Sequence, residues 1–180
     1  DALDGVLIGD SFANHSAAFI DVLAKDAGLF LHDSASGGHP ILTAKLSNNK
    51  LRYSPEYALQ RFEYAKQFEG VRYKYGGTTK KGMDCSALMV LSYKAIGKTI
   101  PRTSSAQSQT GKRLKKSQIR PGDLVFFDSN LNGRINHVGL VTEVRAKDVV
   151  FIHATTSRGV VEDVMSNRYY SQRYKRAIRP

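Results

Sequence analysis

The stretch from Pro121 to Val164, PGDLVFFDSNLNGRINHVGLVTEVRAKDVVFIHATTSRGVVEDV, decides the fold of this 180-residue chain. It opens on a Pro121-Gly122 turn and then alternates short β-rich runs with polar breaks: Asp123 to Phe127, His137 to Val144, Val149 to His153, and a weaker run from Val160 to Val164. Valine, isoleucine and phenylalanine suit a pleated, half-buried surface, and the breaks are rich in Asn, Gly and Asp. Upstream the period is helical. Ser54-Pro55-Glu56 supplies an N-cap, a proline at the first helical position and an acid in the first turn. An apolar face of Tyr57, Ala58, Phe62, Ala65 and Phe68 follows, and Gly70 ends it. From Cys85 to Ala95 the apolar residues Leu88, Leu91 and Ala95 recur at helical intervals, with Asp84 as N-cap and Gly97 as terminator. Another short helix is expected after Thr103. Helices first and strands second predict α+β packing, with helices on a small antiparallel sheet, rather than alternating βαβ units.

The first fifty residues read differently. Gly5 to Gly9 is an apolar run bounded by glycines, Phe12 to Ala27 has helical spacing, Leu29 to His32 suits a second strand, and Asp33 to Pro40 is loop. A boundary near residue 50 separates this N-terminal extension, 1–50, from a domain spanning 51–180. Charge divides at the same place. Three basic residues and six aspartates give residues 1–50 a balance of −3, so the rest carries +14 and the two together make the net +11. Such asymmetry points the basic part toward an anionic partner, against the plain alternative of solvated lysines.

An apolar fraction of 41% excludes long disorder, and the single thiol, Cys85, excludes an internal disulfide framework and a Cys-rich zinc site. No apolar run approaches the roughly 20 residues that span a bilayer. The start at Asp1, without a leader pattern, implies a processed or trimmed chain. Cys85 is therefore either structural or reactive. A cysteine attacks only as thiolate, and its pKa falls at a helix N-terminus or beside a histidine. Cys85 is predicted to start a helix, and two histidines on adjacent strands are candidates for a base and its orienting partner. His137 lies 52 residues after the thiol and His153 a further 16 on. With a hairpin turn between Thr142 and Asp148, the two strands pair antiparallel and the histidines become cross-strand neighbours, roughly 5 Å apart at Cβ. On spacing alone a buried thiol with two core histidines is the competing reading.

Six blocks carry a resemblance: Gly70-Val71-Arg72-Tyr73-Lys74-Tyr75-Gly76-Gly77, Asp84-Cys85-Ser86, Pro101-Arg102-Thr103-Ser104, Pro121 to Phe127, His137-Val138-Gly139, and Phe151-Ile152-His153-Ala154. Together, and in this order, they resemble the NlpC/P60 cysteine peptidases over roughly residues 54 to 179. The run from Val71 to Ser86 is particularly similar to the Spr-like murein endopeptidases of Gram-negative envelopes. The resemblance implies a papain-like NlpC/P60 fold, no cofactor or metal, a periplasmic or extracellular place in the cell envelope, and hydrolysis of peptide bonds in peptidoglycan stems or cross-links through a thioester. By position, Cys85 is then the nucleophile, His137 the general base and later acid, and His153 the polar residue that orients it. Tyr73 is matched to a tyrosine whose hydroxyl donates to the oxyanion beside the Cys85 backbone N–H. Asp84 and Ser86 fall at positions associated with the substrate's free amine, with a plain helix cap as the alternative for Asp84. Arg102 either pairs with a substrate carboxylate or anchors its loop. Two departures stand out: Ala87 occupies a position where many members have glycine, and Thr142 to Val149 is longer than the usual turn.

Gly9-Asp10-Ser11-Phe12-Ala13-Asn14-His15 also resembles the first block of SGNH hydrolases, yet no Asp-x-x-His follows, and about 50 residues do not supply the parallel sheet such an enzyme needs. It reads as a fragment or remodelled extension, leaving an esterase acting through Ser11 as a remote alternative. His15, His32 and His39 with Asp10 lack tight metal-ligand spacing. The basic run Lys112 to Lys116 and the terminal Arg168, Arg173, Lys175, Arg176 and Arg179 come with no recognised nucleic-acid module. Cell-wall carboxylates are the expected anionic partner, and a non-catalytic wall-binding module is the main rival to an enzyme.

Overall fold

The computed structural model describes residues 55–146 and 148–180, all within Leu51–Pro180, the second of two units into which the chain divides. The expectations for residues 1–50, including Ser11 and the N-terminal histidines, and for the Ser54 cap lie outside the described residues. Helix α1, Pro55–Lys66, is followed by the two-residue strands β1, Thr78–Thr79, and β2, Gly82–Met83, then by α2, Cys85–Lys94, and the single turn α3, Ser104–Gln107. The strands β3, Lys112–Leu114; β4, Leu124–Phe127; β5, His137–Arg145; β6, Asp148–Thr155; and β7, Gly159–Val164 come next. Helix α4, Arg168–Arg173, and strand β8, Tyr174–Arg179, complete the domain.

The larger sheet has the order β3-β8-β4-β5-β6-β7, and every pairing is antiparallel. Alternation along the strands sends side chains to two faces, and both are covered. On one face Leu124, Phe126, Val138, Leu140 and Ile152 meet Leu88 and Met89 of α2 and Ala65 of α1. On the other Val125, Phe127, Val141 and Phe151 pack beneath Tyr170 of α4 and Met165. Leu88, Met89, Leu140 and Ile152 are fully buried, each contributing roughly 1.5–3 kcal/mol of transfer free energy. The α+β architecture expected from the order of periodicities is the one found.

The strand ends, the short helix after Thr103 and the Asp84 cap fall where sequence places them, within a residue or two, and Thr103 proves to cap that helix by accepting the Ala106 N–H. The C-terminal basic segment does not read as a strand, yet Tyr174 to Arg179 forms β8 in the middle of the sheet, and Lys112 to Leu114 pairs along its edge. The charges hid the pattern. Ala177 and Ile178 are buried while the basic residues between them and the turn reach outward, and Arg179 is held in a two-pronged pair with Asp123, at 2.8 and 2.9 Å. Arg179 of the basic segment therefore stitches β8 to the residue before β4.

Candidate active site

Cys85 is the first residue of α2, and Asp84 caps that helix: its Oδ1 accepts the Ala87 N–H at 2.8 Å. Ala87 is itself buried and accommodated at the start of the helix. The segment before the thiol is held by backbone pairing, with Met83 N–H donating to Arg72 O, Lys74 N–H to Met83 O, and Asp84 N–H to Gly77 O. A side chain at Gly77 would place its Cβ 2.4 Å from Gly82 O, so this close approach requires glycine. The same pairing sets Tyr73 against the core that holds Cys85.

Asp84 has more partners than a cap requires. Arg102 forks onto it, Nη1 to Oδ1 at 2.9 Å and Nη2 to Oδ2 at 2.6 Å, while Nη1 also donates to Ser86 Oγ at 2.8 Å. Gly76 N–H donates to Oδ2 at 2.9 Å and Ser86 Oγ–H to Oδ1 at 3.0 Å. Burial raises the carboxyl's pKa, but Arg102 and the Ala87 and Ser86 donors outweigh it and hold Asp84 below the usual carboxylate range. In this structure Arg102 anchors its own loop to the start of the helix that Cys85 opens.

Both histidines project from the sheet at the end nearest the thiol. The β5–β6 turn pairs Arg145 with Asp148 and Val144 with Val149, a register that, continued unbroken, would put His137 and His153 on opposite faces. A bulge at Thr142 absorbs one residue, so that Val141 pairs with Phe151 and Leu140 with Ile152. The two rings then share a face, as diagonal rather than directly opposite neighbours. The Thr142 hydroxyl donates to Glu162 Oε1 at 2.7 Å and ties the bulge to β7. The stretch from Thr142 to Val149, expected as a long turn, is instead mostly strand: β5 runs to Arg145 and β6 starts at Asp148, so only two residues connect them.

His137 Nε2 lies 2.7 Å from His153 Nδ1. His153 is fully buried and packed against Phe151 and Tyr170, with ring centroids 4.7 and 5.2 Å away. The N–H of Val138, next to His137, donates to the Cys85 sulfur, which brings the thiol alongside the imidazole's strand. Burial pushes the thiol up to about 11, against the partial help of the Val138 and Ser86 N–H groups. Burial likewise holds both imidazoles below the ordinary histidine range, with His153 adding to the effect on His137. At neutral pH the thiol and both imidazoles are uncharged. Burial also raises the Tyr73 phenol, reinforced by the nearness of Cys85 and Asp84, so it stays a donor.

Residues 70–179 match the sequence profile of the NlpC/P60 family. The chain belongs to the NlpC/P60 family. It is 39% identical over 118 residues to the murein DD-endopeptidase MepS/murein LD-carboxypeptidase of Escherichia coli (strain K12), covering 65% of this chain and 59% of that protein. A probable endopeptidase NlpC homolog of Haemophilus influenzae is 37% identical over 114 residues, 63% of this chain and 57% of the relative. The chain thus spans less than two thirds of the length of these relatives. Among solved structures, an NlpC/P60 family protein from Bacillus cereus superposes with a TM-score of 0.62 at 31% identity, over 68% of this chain and 39% of that one. The papain-like NlpC/P60 fold implied by the sequence blocks is the fold of this domain.

Sequence reasoning singled out Cys85, His137, His153, Tyr73, Asp84, Ser86 and Arg102, and the structure groups them as two clusters about the start of α2 and the start of β5. It also brings in residues the sequence did not suggest: Asp163, Tyr170 and Arg158. The register Phe151↔Asp163 sets Asp163 on the face that carries His153, one diagonal step away. An acid ten positions after a histidine has no motif to mark it; only the β6–β7 pairing does.

Proposed function

We propose that residues 51–180 form a cysteine endopeptidase that hydrolyses peptide bonds in the stem peptides or cross-links of peptidoglycan, acting in the periplasm or the extracellular cell envelope. The observation that carries this reading is the Cys85 thiol at a helix start, touching the strand of His137, whose far nitrogen is hydrogen-bonded to His153. Residues 1–50 are assigned no part in the chemistry.

In this mechanism His137 takes the thiol proton as the substrate carbonyl arrives, and the sulfur attacks carbon. The tetrahedral oxyanion is met by the Cys85 backbone N–H, at the open end of α2, and by the Tyr73 hydroxyl. His137 returns the proton to the departing amine, leaving a thioester. Water, losing its proton to His137, then hydrolyses that thioester and regenerates the thiol. His153 holds the imidazole in line throughout. The Asp84–Ser86–Arg102 cluster faces the amine side of the substrate, with Asp84 already committed to Arg102 and the helix cap.

A groove of about 650 Å³ supports an anionic substrate. It opens beside Asn136, the residue before His137, and is lined by Ser105, Arg113, Arg134, Lys175 and Arg176. Stem peptides carry free carboxylates, and a groove lined by basic side chains raises their local concentration. The names of the murein and γ-D-glutamyl relatives fit the same substrate class.

Purified protein is expected to release soluble muropeptides from sacculi, and Cys85→Ala to stop the release, a fall of at least about a thousandfold. Mass spectrometry of the products identifies the bond. Equal release by Cys85→Ala refutes the mechanism; retention on sacculi with no release by either protein favours a wall-binding module.

A further inference from the structure

We propose that Asp163 is a positioning residue for this chemistry, the far end of a hydrogen-bond chain that sets which nitrogen of each imidazole carries the proton and offsets the charge formed on His137. The proposal rests on the peptidase reading above for its consequence, but not for its geometry. His153 Nε2 is 2.9 Å from Asp163 Oδ2, and the opposite nitrogen, Nδ1, is 2.7 Å from His137 Nε2. The same Asp163 oxygen accepts from the Tyr170 hydroxyl at 2.8 Å and from the Arg158 guanidinium.

Burial raises the Asp163 carboxyl, yet the His153, Arg158 and Tyr170 donors together hold it far below the usual range, so it is ionised at neutral pH. An ionised carboxylate only accepts hydrogen bonds. The hydrogen between Asp163 and His153 must then sit on His153 Nε2. Neutral His153 therefore presents a bare Nδ1, and the hydrogen in the 2.7 Å contact belongs to His137 Nε2. That leaves His137 Nδ1 bare, the only arrangement in which the ring can accept a proton there. The reverse tautomers would turn the lone pair of His153 toward a carboxylate. Tyr170 guards the direction of the chain: burial and the Asp163 charge push its phenol up, so it remains a donor, 3.4 Å from His153 Nε2.

The second role is electrostatic. Taking the thiol proton makes His137 an imidazolium in a site where burial opposes charge. Its Nε2–H then donates to His153 Nδ1, two hydrogen bonds from a carboxylate. Asp163 acts in the direction that favours this cation. The logic is that of an acid orienting a catalytic histidine, here relayed through a second ring.

Nitrogen-15 NMR of the histidines in the Cys85→Ala protein reads the tautomers without turnover. Both rings are expected to be protonated at Nε2 near neutral pH. In Asp163→Asn the amide oxygen serves the same donors, so tautomers persist while the charge is lost. The imidazole pKa values should fall further, and kcat should drop roughly 10–100-fold with KM little changed. Asp163→Ala removes the acceptor too and should cost more and mix the tautomers. A proton on His137 Nδ1 in the parent overturns the proposal, as does kcat in both variants within about threefold of the parent. If the variants do not fold, the parent spectrum alone decides. If the parent releases no muropeptides, the peptidase reading fails while the tautomers still settle this one.

Discussion

At Cys85, burial and catalysis oppose each other. A thiol pushed up to about 11 is a poor nucleophile on its own, and neighbouring imidazoles held below their ordinary value are reluctant acceptors. In the proposed mechanism both partners stay uncharged until substrate arrives, and the proton then passes to His137. The competent form has His137 unprotonated and Cys85 protonated. Because the folded histidine pKa is lowered, that form should persist well below pH 6.5, and because the thiol pKa is raised it should persist into the alkaline range. The profile of kcat/KM against pH is therefore expected to be a broad plateau whose acid limb lies below the ordinary histidine value. An acid limb at or above roughly 6.5 would contradict it.

Among the elements, the β5–β6 hairpin governs the site. Its bulge at Thr142 brings the histidines to one face, and Gly139 makes room for what surrounds them. A Cβ at Gly139 would lie 2.5 Å from Cδ2 of Phe151, whose ring packs against His153 at 4.7 Å. The backbone there is ordinary strand, so the requirement is for space rather than for a left-handed conformation. Gly139→Ala is expected to displace the Phe151 ring and with it His153. Denaturant unfolding should show a loss of about 1–3 kcal/mol. Peptidase activity should fall by more than stability explains, with kcat taking the larger share. A variant that lost stability but kept full kcat would separate the glycine from the site.

Over the whole molecule, the ionisable groups predict how stability follows pH. Burial raises Asp84, Asp148 and Asp163, but their hydrogen-bonding partners prevail and each ends below its ordinary value. The stability they confer is full above roughly pH 4, the unfolded range, and is lost as pH falls further. His137 and His153 are also lowered, so protonation of the unfolded chain begins to draw stability away from roughly pH 6.5 downward. Melting temperature should thus be level from neutral to mildly alkaline pH, decline gently below 6.5 and steeply below 4. Asp84→Asn should flatten the steep part, and calorimetry across pH would show it.

The sequence by itself determined the α+β class, the helix start at Cys85, the Asp84 cap, the short helix after Thr103, the hairpin between the histidines and the family, because each is written in local spacing, capping chemistry or ordered blocks. It did not announce β8, where basic residues mask an alternation whose buried members are few, nor the Thr142 bulge, since a one-residue slip leaves no mark in composition. Asp163 belongs to the same group. Its partnership with His153 depends on the register of β6 against β7, and its ionisation on three donors converging from β6, β7's own turn and α4. Tertiary structure decided those points because face, register and hydrogen-bond direction are properties of paired strands, and no single strand carries them.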